Sequence, residues 1–482
     1  MTYVYPGFNR IYKVLGGIIG VSSGLLTLAW YKSNINAEDK KETHTDDSID
    51  FSYVNFVNDH SKDTERNHIK INSKVCGLSS HNVVFNKKYK KIVPKIFKIL
   101  HQAKEEFGTP GISFAISRNG DLVLKGGIGL ADVENHVPCT SETVLRIASI
   151  SKSLTTLAIG KLMEEGKLDL NKPVQEYVPN FPLKTFEGSN VSITTYDLLS
   201  HTSGIRGYFD DKGEELIDDK LQRKRNIRKS KYGDNFFGSD EMYNKNYYEK
   251  VADGLALFEN DPLIFKPGTD YEYSSIAYTL VSCIVEKASK VDYVKYMKSI
   301  CDELEMDNTM VDLNDPLIYH RARNYIRKNG RLQNVPYVDN SYKWCGGGFL
   351  SNVEDLQKFG NAMLISAATD KGFLKPSTVS TLWTPCRVTT GKGSKTYPES
   401  SYALGWAILP NRENQRRAVL HTGGAIGCSS VFMLCEGEKL QQNQDQKLVQ
   451  PNGSVIAIIV NMESVGLTET ALKIEKCLQG AI

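Results

Sequence analysis

The chain predicts an α+β fold: an antiparallel sheet flanked by helices, with a mainly helical lobe beside it. Three observations carry that prediction. Ile112, Phe114 and Ile116 alternate before Asn119-Gly120, and Leu122-Val123-Leu124 follow, which is the pattern of a hairpin with one face buried. A matching strand-like run spans 455–462, near the other end of the chain. Helical spacing of apolar residues flanks both, over about 91–107 and 467–478.

From the N-terminus, residues 14–31 form an eighteen-residue run without a charged side chain, just long enough to span a bilayer. Arg10 and Lys13 precede it and no acid occurs before Glu38, so a signal peptide, a mitochondrial presequence and an anchor all fit. Gly16, Gly20 and Gly24 recur every fourth residue, a small-residue face that membrane helices also tolerate without any partner. We therefore read 1–32 as a targeting or membrane segment. Residues 33–90 are rich in Asn, Asp, Ser, Lys and His and read as a flexible polar tether. About 390 residues remain, 91–482, the size of a two-lobed body around one cleft.

A helix is expected after Ser149, because Ile150, Leu154, Leu157, Ala158, Leu162 and Met163 recur at helical spacing and Gly166 ends the pattern. Ser149-Ile150-Ser151-Lys152 then places a hydroxyl and an amine on one face, with Cβ atoms ~5–6 Å apart. Ser149 sits at the positive end of the helix dipole, beside backbone N–H groups able to hold an oxyanion. For Lys152 to act as a base it must be partly neutral, which burial by Leu145, Ile147, Ala148 and Leu154 would bring about. By itself Ser-x-x-Lys is a weak signal.

Two later segments add weight. Pro267-Gly268-Thr269-Asp270-Tyr271-Glu272-Tyr273-Ser274-Ser275 is a turn followed by aromatic residues and a helix start. Val419-Leu420-His421-Thr422-Gly423-Gly424 leads into a strand-like run at 431–434. This ordered set resembles the serine β-lactamase and penicillin-binding protein family, which includes esterases and D-aminopeptidases. The resemblance covers roughly residues 91–482 and is reinforced by Leu198-Leu199-Ser200-His201-Thr202-Ser203-Gly204, by 344–351 and by Tyr402-Ala403-Leu404-Gly405-Trp406.

The resemblance implies a β-lactamase/transpeptidase-like fold with the site between its lobes. It makes Ser149 the acylated nucleophile, Lys152 its proton partner, Tyr273 the leaving-group acid and His421 the head of the substrate-binding strand. Ser275, Thr422, Gly423 and Gly424 become substrate-binding positions, with an oxyanion hole at the N–H groups of Ser149 and Gly424. No cofactor and no metal are implied, and His201 belongs to a structural turn beneath the cleft. Two departures stand out. The family's Tyr-x-Asn reads Tyr273-Ser274-Ser275, which replaces an amide by a hydroxyl and disfavours efficient β-lactam hydrolysis. His421 stands where β-lactamases usually carry lysine, a form found in the esterase-like and peptidase-like members.

With the N-terminus, these variants resemble the animal mitochondrial branch of the family. That implies an intermembrane-space location with inner-membrane association, a homo-oligomer or filament, a link to lipid metabolism, and a peptide or ester substrate. The rival expectation is an assembly protein that retains the fold but little chemistry. A penicillin-binding enzyme of periplasmic type fits the N-terminal half less well.

A net charge of +3 and 40% hydrophobic residues suit a globular body, and no segment resembles a nucleic-acid module. Nine scattered cysteines, with no Cys-x-x-Cys, read as buried thiols, Cys428 included, and no metal-ligand spacing of histidines occurs. Between the first two motifs, 206–250 reads as a charged insertion. Acids from Asp210 to Asp219 precede bases from Lys220 to Lys231, giving a solvated loop, a protomer contact or an attraction to anionic lipid.

Overall fold

In this computed structural model the described residues are 54–57, 66–71, 83–208, 241–389, 400–409, 417–437 and 450–480. The apolar run 14–31, and the acidic and basic blocks of the insertion, lie outside them. An eleven-stranded antiparallel sheet organises the body. Its strands are β1 Val54–Val57, β2 Arg66–Ile71, β3 Val83–Asn86, β4 Gly111–Arg118, β5 Asp121–Asp132, β6 Ser401–Tyr402, β7 Ala407–Leu409, β8 Ala418–Ala425, β9 Cys428–Glu436 and β10 Gly453–Val460, with the two-residue strand Val137–Pro138 on β5. Their order across the sheet is β1-β2-β3-β5-β4-β10-β9-β8-β7-β6. The first hairpin and the C-terminal strand are thus neighbours, paired from Ile112↔Val460 to Arg118↔Ser454. The hairpin turns at Asn119 and Gly120, φ 51° and 83°, the left-handed pair that a two-residue antiparallel turn requires.

The folded body starts upstream of residue 91, since β3 pairs with β5 and buries Val83 and Phe85 inside the stretch expected to be tether. Val84 and Phe85 pair with Lys125 and Leu124, covering an edge of the hairpin that would otherwise be open on that side.

Helices cover both faces of the sheet. Ile112, Phe114, Ile116, Ile456 and Ile458 point to α1 Val93–Phe107 and α8 Thr468–Gln479, whose Ile96, Leu100, Ala471 and Ile474 complete that cluster. Ala115, Val455, Ala457 and Ile459, one residue out of phase, join the opposite cluster. There α6 Val353–Ala368 lies on the sheet, and Gln357 Nε2 donates to Ala115 O at 2.6 Å. Beyond α6 stand α2 Ile150–Glu164, the short α3 Thr195–Leu199, α4 Ala277–Ser289 and α5 Tyr293–Glu303, the helical lobe.

The α2 helix is buried nearly all round, including Ser151, Ser153, Thr155 and Thr156. A polar side chain in that setting needs an internal partner. Ser153 Oγ donates to Gly405 O at 2.8 Å, and Trp406 Nε1 donates to Thr156 Oγ1 at 3.1 Å, so the Tyr402–Trp406 segment anchors the nucleophile helix. Gly405 adopts φ 74°, and an added Cβ would stand 2.7 Å from Thr156 Cγ2, so only glycine lets the two segments approach. The eight described cysteines are buried, and Cys428 Sγ donates to Arg146 O at 2.6 Å.

Candidate active site

The nucleophile helix begins in a strained turn. Ala148 has φ 48°, a left-handed conformation that costs a non-glycine residue ~1–3 kcal/mol and that clusters at functional positions. What holds it is strand β8 and its neighbour β9. Ser430 Oγ donates to Ile147 O at 3.0 Å, and Gly423 packs so closely that a Cβ there would meet Ile147 O at 2.4 Å and Ala148 Cβ at 3.0 Å.

Ser149 occupies the N-cap of α2, yet its side chain makes no capping bond. A serine cap is ordinarily worth ~1 kcal/mol. Here the hydroxyl faces Lys152 instead, whose Nζ lies 3.1 Å from Ser149 Oγ. The same Nζ reaches Ser275 Oγ at 2.9 Å and Gly346 O at 2.5 Å. Lys152 is fully buried, and that loss of water pulls its pKa from 10.5 down to about 7. Among the described residues no carboxylate touches the amine, and only Cys345 opposes the shift; the faces of Tyr273 and Tyr278 lie 4.8 and 5.2 Å from Nζ.

Tyr273 moves the other way. Burial raises its phenol to about 12, partly offset by hydrogen bonds to Ser149 and Ser275. It is therefore a neutral donor at physiological pH rather than a base. Ser275, the hydroxyl that replaces the family's amide, still meets the lysine.

His421 has a task unlike that of a free acid or base. Its Nδ1–H donates to Thr422 O at 2.6 Å and its Nε2 accepts from Tyr402 Oη at 2.8 Å. Both nitrogens are occupied, and burial with the nearby Lys152 charge lowers its pKa to about 3. The imidazole is a neutral spacer that fixes β8 to the Tyr402 segment, not a substitute for the lysine's charge.

Beyond His421, Thr422 and Gly424 are exposed while Gly423 is buried, so alternate residues of β8 face the cleft. A Cβ on Gly424 would meet nothing within 4 Å, leaving its backbone open on that side. Among the described residues the Ser149 N–H has no backbone acceptor.

The cleft, about 1110 Å³, is lined by Ser149, Tyr271, Tyr273, Tyr402 and His421–Ile426, and continues past Ser429 to Glu463–Glu469. All eight expected site residues converge: six line the wall, and Lys152 and Ser275 lie beneath Ser149. Two supports were less visible. Gly346 supplies a carbonyl to the lysine, and His201, φ 60°, holds the tyrosine loop from below. Ser274 N donates to His201 Nδ1 at 3.2 Å and Glu272 N donates to His201 O at 3.0 Å. The His201 ring lies 4.3 Å from that of Tyr273, tilted at 45°, and burial drives its pKa well below the ordinary value. The only advance signal for it was the Leu198–Gly204 motif.

Arg206 pins the base of the insertion through Asp261 at 2.7 Å and a two-point pairing with Glu241 at 2.8 Å.

A family model described as Beta-lactamase matches residues 96–467. The chain is 44% identical to the human "Serine beta-lactamase-like protein LACTB, mitochondrial", over 78% of each protein. Among solved structures it is similar to the octameric penicillin-binding protein homologue from Pyrococcus abyssi, with a TM-score of 0.61 and 27% identity over 80% of this chain and 77% of that one. EstCE1, a hydrolase with promiscuous acyltransferase activity, shares the fold at a TM-score of 0.63 and 18% identity, over 81% of this chain and 98% of its own.

Proposed function

Because the chain belongs to the serine β-lactamase-like family, we propose that it is a serine hydrolase, a peptidase acting through an acyl-enzyme on Ser149. The observation that carries this reading is the buried, near-neutral amine of Lys152 at 3.1 Å from Ser149 Oγ. Lys152 takes the Ser149 proton as Oγ attacks the acyl carbonyl, and the N–H groups of Ser149 and Gly424 hold the developing oxyanion, a contribution of ~2.7–4 kcal/mol for each such donor. Collapse of that intermediate needs a proton on the leaving amine or alcohol. Tyr273, neutral and hydrogen-bonded to Ser149, relays it from Lys152. Water then attacks the Ser149 ester, with Lys152 again accepting the proton. Thr422 and the β8 edge align an extended acyl donor, and His421 keeps that edge in register.

The mitochondrial relatives support a mitochondrial location for this chain too; the uncharged run 14–31 is what favours the inner membrane, facing the intermembrane space, within it. An octameric homologue supports a homo-oligomer; the second reading is a largely structural assembly, with the link to lipid metabolism resting on the sequence resemblance alone. Intact mass after treating the full-length protein with a fluorophosphonate separates these readings. An adduct absent from Ser149→Ala and much slower in Lys152→Ala is expected. No adduct on the folded protein overturns the hydrolase reading in favour of assembly.

A further inference from the structure

Away from Ser149 the cleft changes character. Among its described lining residues the charged ones are Glu463 and Glu469, and no fixed cation is present. Glu469 is exposed and lies 3.8 Å from Lys473 on the next turn of α8. Glu463 differs. It is half-buried at the end of β10, its Oε2 accepts the Gly427 N–H at 3.0 Å, and no described cation pairs with it.

The groups facing Glu463 are neutral. Gly427 approaches from the β8–β9 hairpin, and Tyr243 of the 241–250 segment interacts with its charge. Tyr325 offers only a carbonyl, which accepts the Glu463 N–H at 3.2 Å. Burial accordingly raises the Glu463 pKa, as expected for a carboxyl group withdrawn from water without a counter-ion. A cation seated in the cleft would reverse that shift and replace the lost hydration.

The position suits a substrate. Gly423 touches Ala148, immediately before the nucleophile, and Gly427 is four residues further on. Four residues of chain span at most ~13 Å even fully extended, and the Glu463 carboxylate lies 3.0 Å from Gly427 N, so it stands within ~16 Å of Gly423, the reach of about five residues of an extended peptide.

We propose that Glu463 is a specificity-determining residue whose carboxylate binds an ammonium or guanidinium group of the acyl donor, so that peptides with Lys, Arg or a free amine a few residues from the cleaved bond are preferred. This rests on the hydrolase reading above.

The test uses full-length protein and pairs of peptide p-nitroanilides that differ at one position, Lys against norleucine, scanned two to five residues from the bond. At one position kcat/KM should favour Lys about tenfold, through KM rather than kcat, and the preference should shrink at high salt. Comparing ratios within each pair cancels any general loss in a variant. Glu463→Gln should bring the ratio near one, and Glu463→Lys should move the preference to a Glu-containing peptide. Equal rates for Lys and norleucine at every position, or a ratio unchanged in Glu463→Gln, overturn the proposal while leaving the hydrolase intact. No turnover of any donor together with no fluorophosphonate adduct overturns both.

Discussion

Two buried lysines, Lys152 and Lys343, have the same acidity and different surroundings. Each is held at about 7 chiefly by loss of water, with the Arg146 charge contributing at Lys343. Lys152 faces two hydroxyls and a carbonyl. Lys343 Nζ lies 5.1 Å from the ring of Tyr342 and 5.8 Å from that of Tyr208, and among the described residues this amine has no side-chain or carbonyl acceptor, the Lys343 backbone N–H alone donating, to Asn340 O at 3.0 Å. The difference teaches that a shifted pKa marks burial, whereas the nucleophile within reach makes a base. Sequence spacing separated the two, because only Lys152 shares a helix face with a serine.

The largest effect should follow from removing the chemistry itself. Ser149→Ala should abolish acylation, and Lys152→Ala should slow it by ~10²–10⁴-fold at neutral pH, measured by time-resolved intact mass. Lys343→Met should leave that rate within about threefold; a loss comparable to that of Lys152→Ala breaks the comparison. In the wild type the rate should climb with pH through about 7 as Lys152 loses its proton, and no histidine limb should appear between 5 and 7, since His421 titrates near 3.

Both lysines also leave a mark on stability. Between about 7 and 10.5 the unfolded chain holds protons that the folded chain has released, so stability rises with pH across that window. Lys343→Met removes one of the two contributions. Denaturant titrations at pH 7 and 9.5 should show a shallower rise in the variant, with no loss of stability at pH 7.

Ser275→Ala tests the hydroxyl that stands in for an amide. It removes one of the lysine's acceptors and should cost about tenfold in acylation, near 1.4 kcal/mol, with the pH midpoint moved by less than one unit. Smallest should be Tyr402→Phe, which deprives His421 Nε2 of its donor. Stability should fall by about 1 kcal/mol in thermal unfolding, and acylation should change only two- to threefold, the mark of a positioning residue.

Much of the site was legible because it is local. The i, i+3 separation of Ser149 and Lys152 survives any packing of α2, and the Asn119-Gly120 turn and alternating β4 follow from backbone preference. The tether was misjudged at Val83–Asn86, a short apolar run whose pairing partner, Val84↔Lys125, is remote in sequence. His201 and the Gly346 carbonyl were illegible as partners for the same reason, and Glu463 was one acid among many until β10 brought it beside Gly427.

By itself the sequence determined the identity and local spacing of the reacting groups, the helix that holds two of them, and the family to which the chain belongs. The tertiary structure decided their protonation and their targets. Depth of burial and the approach of distant carbonyls are set by long-range packing, so only the closed core draws the Lys152 amine toward neutrality, makes His421 a neutral spacer and leaves Glu463 without a counter-ion among the described residues.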